Sequence, residues 1–272
     1  MTKKVSVVMC TCNGAKYLRE QIETIIHQTY PVYELIIQDD CSTDNTLEIL
    51  KEYAAAHSYI SVYQNITRLG VNKNFFSAME RAMGDYIAVS DQDDIWELDK
   101  IEKQMATIGD NRLSFHISKP FSEGNAPIFF DDRIFNYGIE RTIFVNCIPG
   151  HTMLLKKELI SMIPEESKDK FTYDWLLQIV AVAYGKISFY RQALVHQRRH
   201  YNAVTYTKPM PTKFNIFNSI TTVFRTLLLY IELRKPLLER FEMKYRLLKS
   251  IPVENRQSPM PKNLPYTLRK KG

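Results

Sequence analysis

Glycine is scarce in this chain, nine among 272 residues, and neither of the glycine-rich loops that cradle phosphate is present. A dinucleotide site needs G-x-G-x-x-G after the first strand, because only glycine lets the backbone approach a pyrophosphate closely. Here the first apolar run, Val5 to Cys10, is followed by Thr11-Cys12-Asn13-Gly14, which holds a single glycine. A P-loop is also missing, so a nucleotide phosphate bound here needs another counterweight to its charge. Long hydrophobic runs are lacking too. The best candidate, Phe214 to Ile231, is broken by Asn215, Asn218, Ser219, Thr221, Thr222, Arg225 and Thr226, which excludes a transmembrane helix there. The N-terminus, MTKKVSVVMCTCNG, turns polar too soon for a secretory signal, and the expected location is the cytosol. Four cysteines, at 10, 12, 41 and 147, make no disulfide framework in a chain this long. Cys10 and Cys12 lack a second Cys/His pair at zinc spacing.

Aspartate is absent from the last quarter. Residues 205–272 hold 14 Lys or Arg against 4 Glu, a net +10, while the rest holds 22 basic against 26 acidic residues, a net −4. The overall +6 is thus a property of the tail. A basic tail suits an anionic surface or nucleic acid, or simply helices with solvated basic faces. Within it Phe214, Phe217, Ile220, Phe224, Leu227, Leu228 and Ile231 recur at helical spacing. That stripe fits three uses: packing on the rest of the chain, a homodimer contact, or the inner face of a membrane.

What is present in the first hundred residues is alternation of strand and helix. Val5–Cys10, Glu34–Gln38, Ile60–Gln64 and Tyr86–Val89 read as strands; Lys16–Gln28, a segment ending near Ala56, and Asn74–Met83 read as helices. The pattern predicts an α/β fold with a mainly parallel central sheet flanked by helices. Ligands of such sheets gather at the carboxyl ends of the strands, where three polar clusters fall: TCNG, DDCSTD and SDQDD. Further on, Thr142–Cys147, Thr152–Leu155 and Lys186–Tyr190 read as strands and Lys168–Ala183 as a helix starting near Tyr173. Residues 1–206 form the expected main domain, about 1–110 holding the nucleotide and 111–206 facing an acceptor. Residues 207–272 form a basic helical appendage, with a second helix near Pro236–Leu248.

SDQDD puts three carboxylates within four residues, a costly arrangement unless a cation or hydrogen bonds neutralise them. Hard Mg²⁺ or Mn²⁺ favours a few carboxylates plus phosphate oxygens and water, so a divalent ion arriving with a diphosphate answers both the missing phosphate loop and the crowded charge. Such an ion acts as a Lewis acid on a diphosphate leaving group. Inverting transfer of a sugar from that diphosphate also needs a remote carboxylate base on the opposite face. Asp174, at a helix start between two aromatics in FTYDWLLQIV, is the best candidate for that role, although on the residues alone the preferred reading is a helix-start residue favoured by the dipole.

These blocks resemble a known family. VSVVMCTCNGAKYLREQIETIIHQTYPVYELIIQDDCSTDNT, NITRLGVNKNF and GDYIAVSDQDDIW are similar to family 2 glycosyltransferases of the GT-A fold, especially bacterial rhamnosyltransferase-like enzymes. The resemblance spans roughly residues 4–110 and continues more weakly through IPGHTMLLKKEL, YDWLL and QRRH to about residue 204. It implies that Thr11, Asn13, Asp40, Arg68 and Asp91 bind the nucleotide, and that Asp93 and His200 hold Mg²⁺ or Mn²⁺. It further implies that Asp94 approaches the donor sugar or supports the metal, that Asp174 is the general base, and that His151 and Trp175 lie on the acceptor side. Asn74 and Asp85 are the weaker matches, and Arg198 or Arg199 would help neutralise the diphosphate. Cys12 stands where the family commonly has an aromatic. The implied partners are a nucleotide-sugar donor and a glycan or lipid-linked acceptor of cell-surface polysaccharide synthesis, with no nucleic acid. A silent nucleotide-sugar or carbohydrate binder of the same fold is the alternative, and a nucleotidyltransferase would expect a more Gly-rich and basic first loop.

Overall fold

The computed structural model describes residues 2–122, 128, 139–142, 144–185, 187–201 and 221–236. Its order is β1 (Val5–Thr11), α1 (Ala15–Ile26), β2 (Val32–Asp39), α2 (Thr46–Ala56), β3 (Ile60–Gln64), α3 (Val71–Arg81), β4 (Tyr86–Ser90), β5 (Ile95–Trp96), α4 (Lys100–Ile108), β6 (Leu113–Ser122), α5 (Ile139–Thr142), β7 (Leu154–Lys156), α6 (Tyr173–Tyr184) and β8 (Ile187–Arg199). Short 3₁₀ turns flank β7, over Gly150–Thr152 and Lys157–Met162. Contacts divide the chain into two units, 1–230 and 231–272. The expected boundary at 206/207 lies outside the described residues, as does most of the expected second tail helix.

The eight strands form one sheet in the order β3-β2-β1-β4-β7-β6-β8-β5. Its first half is parallel, with β1 hydrogen-bonded to β2 on one side and β4 on the other and β3 outside β2. The strands here are continuous apolar runs because helices cover both faces. On one face Leu18, Ile22 and Ile25 of α1, one helical stripe, pack with Val5, Val7, Met9, Leu35 and Ile37. The second half is mixed: β7 runs antiparallel to β4 and β6, β6 is parallel to β8, and β5 is antiparallel to β8.

Chain direction across the sheet reverses at β1, since β2 lies to one side of it and β4 to the other. Loops leaving the carboxyl ends of strands at such a switch point diverge and leave a crevice. The two loops that flank it are Cys12–Gly14 and Asp91–Asp94.

Two expectations are corrected. Thr142–Cys147 is not a strand: Thr142 ends α5, and residues 145–147 carry no strand pairing. Its polar groups are taken by α6 instead, with Gln178 donating to Thr142 Oγ1 (2.7 Å) and accepting from Cys147 N–H (3.3 Å). The strand expected to stop at Tyr190 continues to Arg199, because β6 pairs alongside it as far as Ser122↔Arg199.

Gly84, just before β4, is required by a close approach. A Cβ there would lie 2.8 Å from Ser6 N and 2.9 Å from Lys4 O, both backbone atoms that cannot swing aside. Gly84→Ala is expected to cost about 1–3 kcal/mol through overpacking, read as a lowered Tm; an unchanged Tm would mean that β1 and β4 separate freely there.

Candidate active site

Strand pairing gathers the acidic loop's partners from distant sequence. Ile95 and Trp96, directly after the acidic cluster, become β5 and pair with His196 and Val195 of β8. That pairing delivers His200 to Asp93, with His200 Nε2 2.8 Å from Asp93 Oδ2. Arg198, two residues earlier, fastens the loop: its N–H donates to Asp94 Oδ1 (3.1 Å) and its Nε–H to the Asp93 carbonyl (2.9 Å). Its guanidinium is also bonded to Glu20 and lies over the Tyr17 and Phe121 rings. Arg198 is therefore committed to the protein. Arg199 carries a buried Nε without a partner among the described residues.

The antiparallel β4/β7 pair performs the same service on the other side. It places the Gly150–Thr152 turn at the end of β4, where His151 Nδ1 lies 3.4 Å from Asp91 Oδ2 and 3.9 Å from Asp94 Oδ2. His151 is only 3% exposed and its Nε2 meets Ser118 Oγ at 2.9 Å, so it faces the acidic loop and not an open acceptor surface. Burial disfavours its imidazolium, but Asp94 and Asp91 outweigh that and raise its pKa. Asp94 is 1% exposed. Burial, opposed by His151 and reinforced by Asp93 and Asp91, pushes its pKa up to about 8. Its Oδ2 has no hydrogen-bond partner among the described residues.

An orphaned buried carboxylate oxygen is expensive, and a cation would satisfy it. Ligand atoms of Asp91, Asp94 and His151 lie within 4.8 Å of one another, and Asp93 and His200 form the adjoining pair. Carboxylate oxygens with imidazole suit Mn²⁺ and, with more waters, Mg²⁺. The donor set thus fits a divalent ion.

The residues expected on the nucleotide side lie at the ends of β1 and β2 and on the loop before α3. Thr11 Oγ1 donates to Asp39 (2.8 Å). Asn13, at φ +53°, accepts from Thr43 N–H (2.8 Å). Asp40 gathers the loop before α3, accepting from Asn65 Nδ2 (2.8 Å), Leu69 N–H (2.6 Å) and Gly70 N–H (2.9 Å). The exposed Arg68 on that loop reaches back to Cys12 Sγ (2.9 Å). Asn74 and Asp85 are structural: Asn74 donates to the Gln38 carbonyl (2.9 Å), and Asp85 accepts from Lys4 N–H (2.9 Å). Asp174 sits in the first turn of α6, half-buried, its Oδ1 accepting from Trp175 N–H (2.9 Å). The Trp175 indole donates inward to the Thr142 carbonyl (2.8 Å).

Several contributors escape a reading by motif. Gln92, the middle of DQD, holds both backbone groups of Cys12, accepting from its N–H (2.8 Å) and donating to its carbonyl (3.2 Å). Gly14 makes room for that amide, since a Cβ there would fall 2.3 Å from Gln92 Oε1. Gln21 of α1 accepts from Ser90 Oγ (2.8 Å) and Trp96 Nε1 (3.0 Å) beneath the loop. Behind it Lys100, 0% exposed, bonds Gln104 Oε1 (3.1 Å) and stands over the Trp96 ring. Burial, opposed by Asp94, lowers its pKa to about 7. A lysine on an amphipathic helix reads as a solvated residue, and only the packing reveals otherwise. A cavity of about 960 Å³ lies elsewhere, lined by Lys3, Gly84, Asp85, Lys156 and Lys168 at the amino ends of β1 and β4. Lys168 there is already bonded to Glu80 and Glu165, and none of the acidic-loop residues reaches it.

The model of the family "Glycosyl transferase family 2" matches residues 6–199. The chain belongs to glycosyl transferase family 2. Among curated members, the dTDP-rhamnosyl transferase RfbG of Shigella flexneri is 29% identical over 184 residues, 62% of this chain and 63% of that one. TuaG of Bacillus subtilis (strain 168), whose name provisionally places it among the glycosyltransferases of teichuronic acid biosynthesis, is 36% identical over 111 residues, 41% of this chain. The chain spans only 44% of TuaG's length. Of solved structures, S. aureus TarS 1-349 in complex with UDP-GlcNAc superposes with a TM-score of 0.64 at 19% identity, covering 92% of this chain and 77% of that one. The mannosyltransferase PcManGT from Pyrobaculum calidifontis, in complex with GDP-Man and Mn²⁺, gives 0.59 at 18% identity, covering 72% and 57%. At these identities the likeness establishes the architecture, and the fold is GT-A. No helix among the described residues is long and apolar enough to cross a membrane.

Proposed function

We propose that this family 2 member is an inverting, metal-dependent glycosyltransferase, moving a sugar from a nucleotide-diphosphate donor to a hydroxyl of a glycan or lipid-linked acceptor in cell-surface polysaccharide synthesis. The observation that carries this reading is the approach of His200 to Asp93 at 2.8 Å, beside the Asp91, Asp94 and His151 cluster, at the switch point of the sheet. Asp93 and His200 would hold Mg²⁺ or Mn²⁺, with Asp91, Asp94 and His151 adjoining. When bound, such an ion stabilises the charge that builds on a departing diphosphate.

The remaining work falls to the chain itself. Thr11, Asn13, Asp40, Arg68 and Asp91 form the nucleotide side, with Asp40 acting mainly by fixing the loop that carries Arg68. The Asp174 carboxylate takes the acceptor hydroxyl's proton as that oxygen bonds to the anomeric carbon. The bond to the diphosphate breaks on the opposite face, and the electron pair leaves with the nucleoside diphosphate. The bacterial relatives' names support the polysaccharide setting, and the solved neighbours' UDP-GlcNAc and GDP-Man support a nucleotide-sugar donor.

The test is a panel of nucleotide sugars with Mn²⁺ or Mg²⁺, read as release of nucleoside diphosphate with and without a glycan or lipid-linked acceptor. Donor binding without any turnover across the panel would sink the enzyme reading in favour of a silent binder. Gln92→Ala removes both ties to Cys12 and is expected to weaken nucleoside diphosphate binding about tenfold, the loss of about two modest hydrogen bonds. Calorimetry with Mn²⁺ present reads the effect, and unchanged affinity would mean that the two loops are positioned independently.

The tail supports a peripheral contact with an anionic membrane. Residues 221–236 are helical, with Phe224 and Leu228 at least half exposed, in a region carrying +10. Exposed apolar side chains with surrounding basic charge are the elements of interfacial binding. Full-length protein should float with anionic vesicles and lose that on Phe224→Asp/Leu228→Asp. Flotation unchanged by these substitutions would exclude the contact, and their conversion of a dimer to a monomer would assign the face to self-association.

A further inference from the structure

We propose that the Tyr173 hydroxyl is a contact to the sugar being transferred, donating a hydrogen bond to one of its oxygens, with Gly150 supplying the space it occupies. The inference rests on the transferase reading above and adds a residue that determines which sugar is accepted.

Tyr173 is the first residue of α6 and immediately precedes Asp174. Its backbone N–H donates to Asn72 Oδ1 (2.9 Å), and Asn72 Nδ2 donates to the Phe171 carbonyl (2.6 Å), so α3 pins the start of α6. Its ring stacks on Phe75 with centroids 4.1 Å apart and planes at 23°. Only 7% of the residue is exposed. Among the described residues no hydrogen-bond partner of its hydroxyl is found, and the hydroxyl is not one of the sealed, unpaired side-chain atoms, so the small exposure that remains leaves it open to a ligand.

The hydroxyl's surroundings identify its partner. It rests against Gly150, where a Cβ would come within 2.0 Å of Tyr173 Oη. The next residue, His151, is the one that meets Asp91 and Asp94. Burial first, then the charges of Asp91, Asp174, Cys10 and Asp94, hold the phenol's pKa well above its ordinary value. It is therefore a neutral O–H donor throughout the working pH range, within electrostatic reach of both the acidic loop and Asp174. In an inverting displacement, attacking oxygen, anomeric carbon and leaving oxygen lie in line. The fragment flanked by the diphosphate's counter-charge on one side and the base on the other is the sugar. A ring locked by stacking loses no further rotamer freedom on contact, so the hydroxyl is preorganised to discriminate among sugar hydroxyl patterns.

Tyr173→Phe deletes the hydroxyl and keeps the stack. Affinities for a nucleoside diphosphate alone and for its nucleotide sugars, measured with Mn²⁺ on wild type and variant, isolate the contribution of the sugar. The expected result is a loss of roughly 10- to 100-fold in affinity or kcat/KM for the preferred nucleotide sugar. Affinity for the bare nucleoside diphosphate should stay within about threefold, Tm should not change, and discrimination between donors differing in one hydroxyl should shrink. Equal losses for diphosphate and nucleotide sugar, or no loss for either, would overturn the assignment. If wild type binds nucleotide sugars with a Tyr173-dependent sugar contribution but never turns over, the contact stands and the transferase reading alone falls. If no nucleotide sugar binds, both fall.

Discussion

Asp174→Asn is expected to abolish sugar transfer, a loss of about 10²- to 10⁴-fold for removal of a general base, while nucleotide-sugar binding survives. The variant separates chemistry from structure because asparagine retains the acceptor oxygen that Asp174 Oδ1 presents to Trp175 N–H (2.9 Å). What it removes is the negative charge in the first turn of α6, which interacts favourably with the helix dipole and is worth about 0.3–1 kcal/mol. Tm should therefore fall slightly, and donor affinity should change little because the nucleotide-side residues come from other loops. Calorimetry with the nucleotide sugar, paired with initial rates on acceptor, reads both quantities. Full residual transfer would refute the role of base and return Asp174 to a helix-terminus residue.

The second large effect is expected at Asp93. Asp93→Ala, or His200→Ala, should lower transfer by on the order of 10³-fold, the equivalent of the several kcal/mol a divalent ion contributes to a developing diphosphate charge. In wild type a chelator should have the same effect and added Mn²⁺ should reverse it; in the variants Mn²⁺ titration should shift to higher concentration or fail to rescue. Both residues are part-buried and meet each other at 2.8 Å, so each substitution leaves a partner unpaired, and a Tm measurement separates that cost from lost activity. Chelator-insensitive wild-type activity would rule out the metal, and unaltered Mn²⁺ dependence in both variants would move it to Asp91, Asp94 and His151.

The parallel half of the sheet was legible because its signals are local. Each strand is a short apolar run, each helix has a one-sided stripe such as Leu18, Ile22 and Ile25, and the observed β3 has the bounds that pattern suggests. The mixed half was legible only in part: β7 and the start of β8 fall on expected strands, whereas β5 and β6 do not. β6 contains His116, Lys119 and Pro120, which argue against a strand. Proline is tolerated because β6 meets β7 only at Leu113 and Ser114, so at Pro120 that edge has no strand partner to bond. Thr142–Cys147 shows the reverse error: its β-branched residues resemble a strand, but α6 side chains satisfy its polar groups.

The candidate site divides along the same line. Sequence by itself determined the alternating α/β order, the polar clusters at the strand ends, the absence of a glycine-rich phosphate loop and the presence of the acidic knot, since all follow from residue types within a few positions of one another. Tertiary structure alone decided which distant groups meet that knot. The two-residue β5 aligns β8 so that His200 reaches Asp93. The β4/β7 pair brings His151 to Asp91 and Asp94, Gln92 ties the knot to Cys12, and Gly150 leaves room for Tyr173. His200 is 107 residues from Asp93 and Cys12 is 80 from Gln92, and strand register, which depends on side chains from both strands and the layers over them, carries no signature in any one segment.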